Sequence, residues 1–179
     1  MTEIIRYSYK LVVVGDSSVG KTSLIRRYAD KKFDDSYLPT IGADFTIKRL
    51  EFKKENILQQ VTLAIWDMGG QQQFSRIRSH YFLDASAALV VFDFTRKETF
   101  ENLKVWFEDI QQYCGTIPCL ILANKNDLPN KAVSKDELDK LASNNKVEIV
   151  ETSAKTGDNV EKVFDLVANL CLNTYDASP

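Results

Sequence analysis

The eight residues Gly15-Asp16-Ser17-Ser18-Val19-Gly20-Lys21-Thr22 follow directly on the apolar run Leu11–Val14 and carry the spacing GxxxxGK[ST]. The residue types at these positions suit a phosphate. Glycines at both ends let the main chain turn tightly, so that successive N–H groups from Asp16 to Ser23 aim inward at anionic oxygens. A helix starting at Lys21 would point its N-terminal dipole at the same place. The Lys21 ammonium supplies a point charge for the outer phosphates, and the Thr22 hydroxyl is placed to ligate Mg²⁺. Strand, loop and helix in this order are the context such a loop requires.

A second polar tetrad, Asn124-Lys125-Asn126-Asp127, follows the apolar run Pro118–Ala123. A carboxylate at Asp127 can accept from both the N1–H and the N2–H₂ of guanine; adenine offers no such donor pair. Asn124 can tie the loop together, and the stem of Lys125 can cover a ring face. Ser153-Ala154-Lys155 follows the strand-like run Val147–Val150 and offers the Ala154 N–H to guanine O6. Asp67-Met68-Gly69-Gly70 ends the alternating run Val61–Trp66. Asp67 is placed as a Mg²⁺-side carboxylate, the Gly70 N–H as a γ-phosphate donor, and Gln71 where an amide could position a water. In Tyr37-Leu38-Pro39-Thr40-Ile41-Gly42, Thr40 can reach both Mg²⁺ and γ-phosphate; without the other motifs, plain turn chemistry after Pro39 would be the preferred reading.

The elements that must position these groups follow from periodicity. Strand-like runs are Lys10–Val14, Asp44–Phe52, Val61–Trp66, Ala87–Phe92, Pro118–Ala123 and Val147–Val150. Ala87–Phe92 is wholly apolar, as a strand covered on both faces should be. In Asp44–Phe52, Phe45 and Ile47 share one face and Leu50 and Phe52 the other, which predicts a bulge or an edge strand. Helical spacing places Leu24, Ile25 and Tyr28 inward after the glycine-rich loop. Phe100, Leu103, Phe107, Ile110 and Tyr113 mark a second helix, and Val160, Val163, Phe164, Val167 and Leu170 the last. Ser134 and Glu137 form a capping box for a shorter one. Strand–helix alternation gives a mostly parallel sheet, with the ligand beyond the carboxyl ends of the strands, where every motif falls.

Composition agrees with one domain over residues 1–179. A net charge of −2 gives no basic field for nucleic acid. Cys114, Cys119 and Cys171 show no paired spacing and read as buried reduced thiols. No apolar run has membrane-spanning length, no signal peptide is visible, and with Thr2 after Met1 N-myristoylation is not indicated. His80 reads as a surface residue, and Trp106 and Phe107 as helix packing.

Taken together, these motifs resemble those of the small GTPases of the Ras superfamily, and most of all the Rab branch. Thr40-Ile41-Gly42-Ala43-Asp44-Phe45 is similar to the Rab TIGxDF signature; Phe45, Trp66 and Tyr81 match the Rab aromatic triad that reports the switch state to effectors. The resemblance implies a P-loop NTPase fold: three layers, a six-stranded, mostly parallel sheet with one antiparallel edge strand, and about five helices. It implies GTP/GDP and Mg²⁺ as cofactors. Catalytic roles fall on Gln71, Lys21 and Thr40, and metal contacts on Thr22, Thr40 and Asp67. Nucleotide contacts fall on Asp16, Ser17, Ser18, Val19, Gly20, Lys21, Thr22, Ser23, Phe33, Tyr37, Thr40, Gly70, Asn124, Lys125, Asp127, Ser153, Ala154 and Lys155.

The same resemblance implies a monomeric switch, slow to hydrolyse GTP, that regulates vesicle traffic. Its switch regions would bind effectors, an exchange factor and a GTPase-activating protein. A Ras- or Rap-like signalling relay, or a GTP-bound interaction module with little turnover, are the alternatives. No arginine lies between Phe33 and Thr40, so a partner would supply the finger, a gain of about 10³–10⁵ in rate. Cytoplasmic placement is expected, peripheral on intracellular membranes only through a lipidated tail, since the sequence ends Ala177-Ser178-Pro179 without cysteine. Three features depart from the pattern. Gly69 and Gly70 form a pair more like that of the Arf and Gα branches. Gln72 stands where relatives have the glutamate that pairs with the P-loop lysine during exchange. The stretch Glu51–Gln60 is also longer than the usual Rab hairpin by about four residues.

Overall fold

The computed structural model describes residues 2–34, 40–70 and 75–175, the last from residue 79 onward in full and over 75–78 as backbone only. A six-stranded sheet runs in the order β2-β3-β1-β4-β5-β6. Its strands are β1 (Glu3–Val14), β2 (Ala43–Lys54), β3 (Ile57–Met68), β4 (Ala87–Asp93), β5 (Cys119–Asn124) and β6 (Glu148–Thr152). Only β2 is antiparallel to its neighbour, and it forms one edge. The described helices are α1 (Lys21–Asp30), α2 (Ser75–Phe82), α3 (Lys97–Glu101), α4 (Leu103–Cys114), α5 (Lys135–Asn145) and α6 (Val160–Tyr175).

Alternation along the inner strands builds two cores. Leu11 and Val13 of β1, with Leu63, Leu89 and Leu120, face α1 and α6, where Tyr28 stacks on Phe164 at 3.9 Å. Val12 and Val14, with Val90, Phe92 and Ile121, face Phe82, Leu103, Trp106, Ile110 and Leu138. Every residue of β4 is buried, which explains its uninterrupted apolar sequence. The order of connection reverses at β1, which pairs with β3 on one side and β4 on the other. The carboxyl end of β1 therefore opens a crevice, and the glycine-rich loop begins there.

Several expectations are sharpened. β2 is an edge strand without a bulge: its ladder with β3 runs unbroken from Ala43↔Met68 to Lys54↔Ile57. Leu50 and Phe52 point to the α1/α6 core, while Phe45 and Ile47 stay exposed on the other face. The added length of the hairpin is matched by β1, which begins at Glu3 and not at Lys10. Glu3 pairs with Ile57, and parallel pairing continues to Val13↔Asp67. The helix read through Phe100 and Tyr113 is two segments meeting at Asn102. Its buried positions are Leu103, Trp106 and Ile110, so Trp106 and not Phe107 takes the innermost place. The capping box at Ser134 and Glu137 is present with both bonds made. Cys114 and Cys119 are half-buried and Cys171 is buried; all three are free, and burial pushes the thiols of Cys119 and Cys171 up to about 12. His80 is exposed on α2.

Candidate functional site

A cleft of about 320 Å³ lies at the carboxyl ends of β1, β3, β5 and β6. Its two ends differ in chemistry. One is lined by Ser17, Ser18, Gly20, Lys21, Thr22, Ser23, Thr40 and Gly70; the other by Phe33, Asn124, Lys125, Asp127, Leu128, Ala154 and Lys155.

At the first end α1 starts at Lys21, with Gly20 in a left-handed conformation (φ 99°) before it. Glycine is required twice over, since a Cβ here would stand 2.3 Å from Asn124 Nδ2. No side chain caps this helix, so its first-turn N–H groups face the cleft among the described residues. Lys21 is buried, and its Nζ donates to the carbonyls of Gly15 and Asp16, both at 2.7 Å. That grip draws the long side chain back across the loop and fixes its charge beside the bend.

Three oxygens converge next to it. Thr22 Oγ1 donates to Asp67 Oδ2 and lies 2.8 Å from Thr40 Oγ1, which is 3.4 Å from the same carboxylate oxygen. The other oxygen, Asp67 Oδ1, is buried with no hydrogen-bond partner among the described residues. Burial raises the Asp67 pKa, against the pull of Thr22, the Lys21 charge and Thr40. A buried carboxylate oxygen lacking a partner is costly. Set beside two hydroxyl oxygens, it fits a hard divalent cation that takes one carboxylate and fills its remaining positions with water and phosphate.

At the second end the three loops are tied together through side chains. Asn124 Nδ2 donates to Val19 O at 2.8 Å, and Asn124 Oδ1 accepts from Thr152 Oγ1 at 3.2 Å and from Ala154 N–H at 3.3 Å. Ser153 Oγ donates to Asp127 Oδ1 at 2.6 Å, orienting the carboxylate expected to read the base. From α1, Arg27 Nε donates to Ala154 O at 2.7 Å and so holds the Ser153–Lys155 loop. Val19 and Ser153 are buried behind the cleft: Val19 offers its carbonyl to Asn124, and Ser153 its hydroxyl to Asp127. Tyr37 and Gln71 lie outside the described residues.

One contributor was not anticipated from sequence. Asp93, at the end of β4, is almost wholly buried and pairs with Lys125 Nζ at 2.6 Å; that ammonium also donates to Ser18 O at 3.0 Å. Asp93 Oδ1 accepts from Thr95 N–H and Thr95 Oγ1. Burial alone would raise the Asp93 pKa, but Lys125 and Thr95 outweigh it and hold the carboxyl below its ordinary value. The usable signal was an acidic residue closing a wholly apolar strand. Because the native pKa is below the unfolded one, the stabilisation is complete above about pH 4 and fades as pH falls through the native value. We therefore expect Asp93→Asn to lower stability at pH 7 and to flatten the loss of stability below pH 4, measured by urea unfolding across pH. An unchanged acid limb would contradict this role for the ion pair.

A strand-flanked glycine-rich loop at a sheet reversal, with the Asn124–Asp127 tetrad across the cleft, has the architecture of a P-loop protein of the small G-protein class. A profile of the Ras family matches residues 10–173. The chain is 40% identical over 165 residues to "Ras-related protein Rab-1" of Theileria parva, covering 90% of this chain and 73% of that protein. It is 41% identical over 164 residues to "Ras-related protein RABD1" of Arabidopsis thaliana (90% and 78% covered). It is 36% identical over 171 residues to "Ras-related protein Rab-7L1" of Rattus norvegicus (92% and 82%). The chain belongs to the Ras family and is Rab-like; it is a guanine-nucleotide-binding switch and a GTP hydrolase.

Proposed function

We propose that this protein is a Rab-like regulator of membrane traffic, acting as one domain whose partner surface is built while GTP is bound. The observation that carries this is the meeting of Thr22, Thr40 and the unpartnered Asp67 Oδ1 beside Lys21. Thr40 precedes β2 and Asp67 lies near the end of β3, so the two loops that would sense the γ-phosphate meet at one point. Gly69 N–H also donates to Gly42 O at 2.9 Å, joining those loops through main chain.

Mg²⁺ would be held at Thr22 and Thr40 on the side of Asp67. Bound there, the ion would supply positive charge to the outer phosphate oxygens. Lys21 and the loop amides bind the same oxygens, Asp127 selects guanine, and Gln71 orients the attacking water. With the γ-phosphate gone, Thr40 and Gly70 lose their tether, and the surface between them is released. That surface has an apolar character suited to effectors. Phe45 stacks on Trp66 at 5.8 Å, and Trp66 meets Tyr81 at 6.2 Å. Phe45, Ile47 and Ile41 are exposed beside it, Ile41 by 82%. The aromatic run supports the Rab-like reading over a Ras- or Rap-like relay. Effectors, an exchange factor and a GTPase-activating protein would all use this side. No described helix is long and apolar enough to cross a membrane, so attachment would depend on a lipid anchor or a partner.

The test is phosphate release. Gln71→Leu should suppress single-turnover hydrolysis by about 10²-fold or more while leaving GTP affinity near that of the parent. Equal turnover in variant and parent would remove Gln71 from the mechanism. A parent that binds GTP and releases no phosphate over days would favour a non-hydrolysing interaction module.

A further inference from the structure

The bend of the phosphate loop is held from behind by a part of the molecule that plays no role in the site described above. Asp16 turns its carboxylate away from the cleft: Oδ1 accepts from Trp106 Nε1–H at 2.9 Å, and Oδ2 from Asn102 Nδ2 at 2.7 Å. The next carbonyl, Ser17 O, accepts from Arg96 Nη1 at 3.1 Å. All three donors come from the α3–α4 segment and the residue before it. On the opposite side Gly70 lies flush against the same peptide. A Cβ on Gly70 would stand 2.4 Å from the Asp16 carbonyl carbon and 2.5 Å from Ser17 N. Lys21 Nζ grips Asp16 O from the cleft.

We infer that Arg96, Asn102 and Trp106 form a positioning clasp that sets the Asp16–Ser17 peptide against Gly70, and thereby favours retention of GTP over GDP. The inference rests on the guanine-nucleotide reading of the site. Its selectivity follows from where the clasp acts. Gly70, the group assigned to the γ-phosphate, bears on this one peptide, as does the Lys21 ammonium, which serves the β- and γ-phosphates together. The base end hangs instead on Asn124 with Val19 and Lys125 with Ser18, and the α1 N-terminus on Gly20. Trp106 is buried, and its indole N–H donates to a carboxylate oxygen, the stronger kind of acceptor.

The experiment compares dissociation of GDP and of a non-hydrolysable GTP analogue from Asn102→Asp, Trp106→Phe and the double variant. Asn102→Asp sets a like charge beside Asp16; Asn102 is exposed and its side chain caps neither helix, so this variant decides the matter if Trp106→Phe does not fold. The GTP analogue should leave about tenfold faster, the effect of one charge-assisted hydrogen bond. GDP release should change by less than about twofold, and the double variant should fall short of the product of the singles, because both act on one carboxylate. Equal acceleration of both nucleotides, or of neither, would overturn the clasp. A parent protein that takes up neither nucleotide would instead overturn the functional reading on which it rests.

Discussion

Asp127→Asn should cost this protein about 10²–10⁴ in affinity for GDP: the amide sets a donor against the guanine N2–H₂, and both bonds lose a charged acceptor worth about 1.5–3 kcal/mol each. It should do so without harming the fold, because Asp127 is exposed and the bond it receives from Ser153 Oγ is one that an amide oxygen can also accept. The variant should in turn gain affinity for xanthosine diphosphate. Xanthine carries a carbonyl where guanine carries its amino group, and an asparagine can donate to that carbonyl while accepting from N1–H. Competition binding with the two diphosphates reads both effects. Unchanged preference for guanine would show that Asp127 does not read the base.

Gly70→Ala should produce a different failure. The added methyl meets the main chain of Asp16 and Ser17 at 2.4–2.6 Å, where no flexible side chain can yield. Either the loop after β3 moves off the phosphate loop or the phosphate loop deforms, a clash of about 1–3 kcal/mol in a packed setting. The first outcome is cheaper, because the phosphate loop is held by Lys21, Asn124, Arg96 and Trp106 at once. GDP affinity should therefore stay near that of the parent, while GTP hydrolysis falls by about 10²-fold or more, as when one preorganised main-chain donor is lost. Parental hydrolysis in Gly70→Ala would mean that this close approach is not used in turnover.

The sites were legible in sequence wherever chemistry and strand endings coincided. Leu11–Val14, Val61–Trp66 and Pro118–Ala123 announce buried strands, and the polar residues that follow each are those that meet in the cleft. What escaped depended on partners distant in sequence. Glu3–Tyr9 carries charged and polar residues on its exposed face and does not read as a strand. It is one because the long β2–β3 hairpin offers it a ladder from Ile57 onward. Trp106 and Phe107 compete for the same inward face; the interruption at Asn102 settles the phase in favour of Trp106. The Asp93–Lys125 pair escaped because Lys125 adopts a left-handed conformation (φ 67°) and swings its ammonium back under the loop. Asp16, read from its motif as a phosphate-loop residue, contributes main chain to the loop and gives its side chain to α4.

Nucleotide content is the most direct test of the whole account. Purified under native conditions in Mg²⁺, the protein should carry close to one guanine nucleotide per chain, identified after denaturation, and chelation of Mg²⁺ should accelerate its exchange. Protein that carries no guanosine phosphate, and takes none up at micromolar concentrations with Mg²⁺ present, would contradict the account at its root.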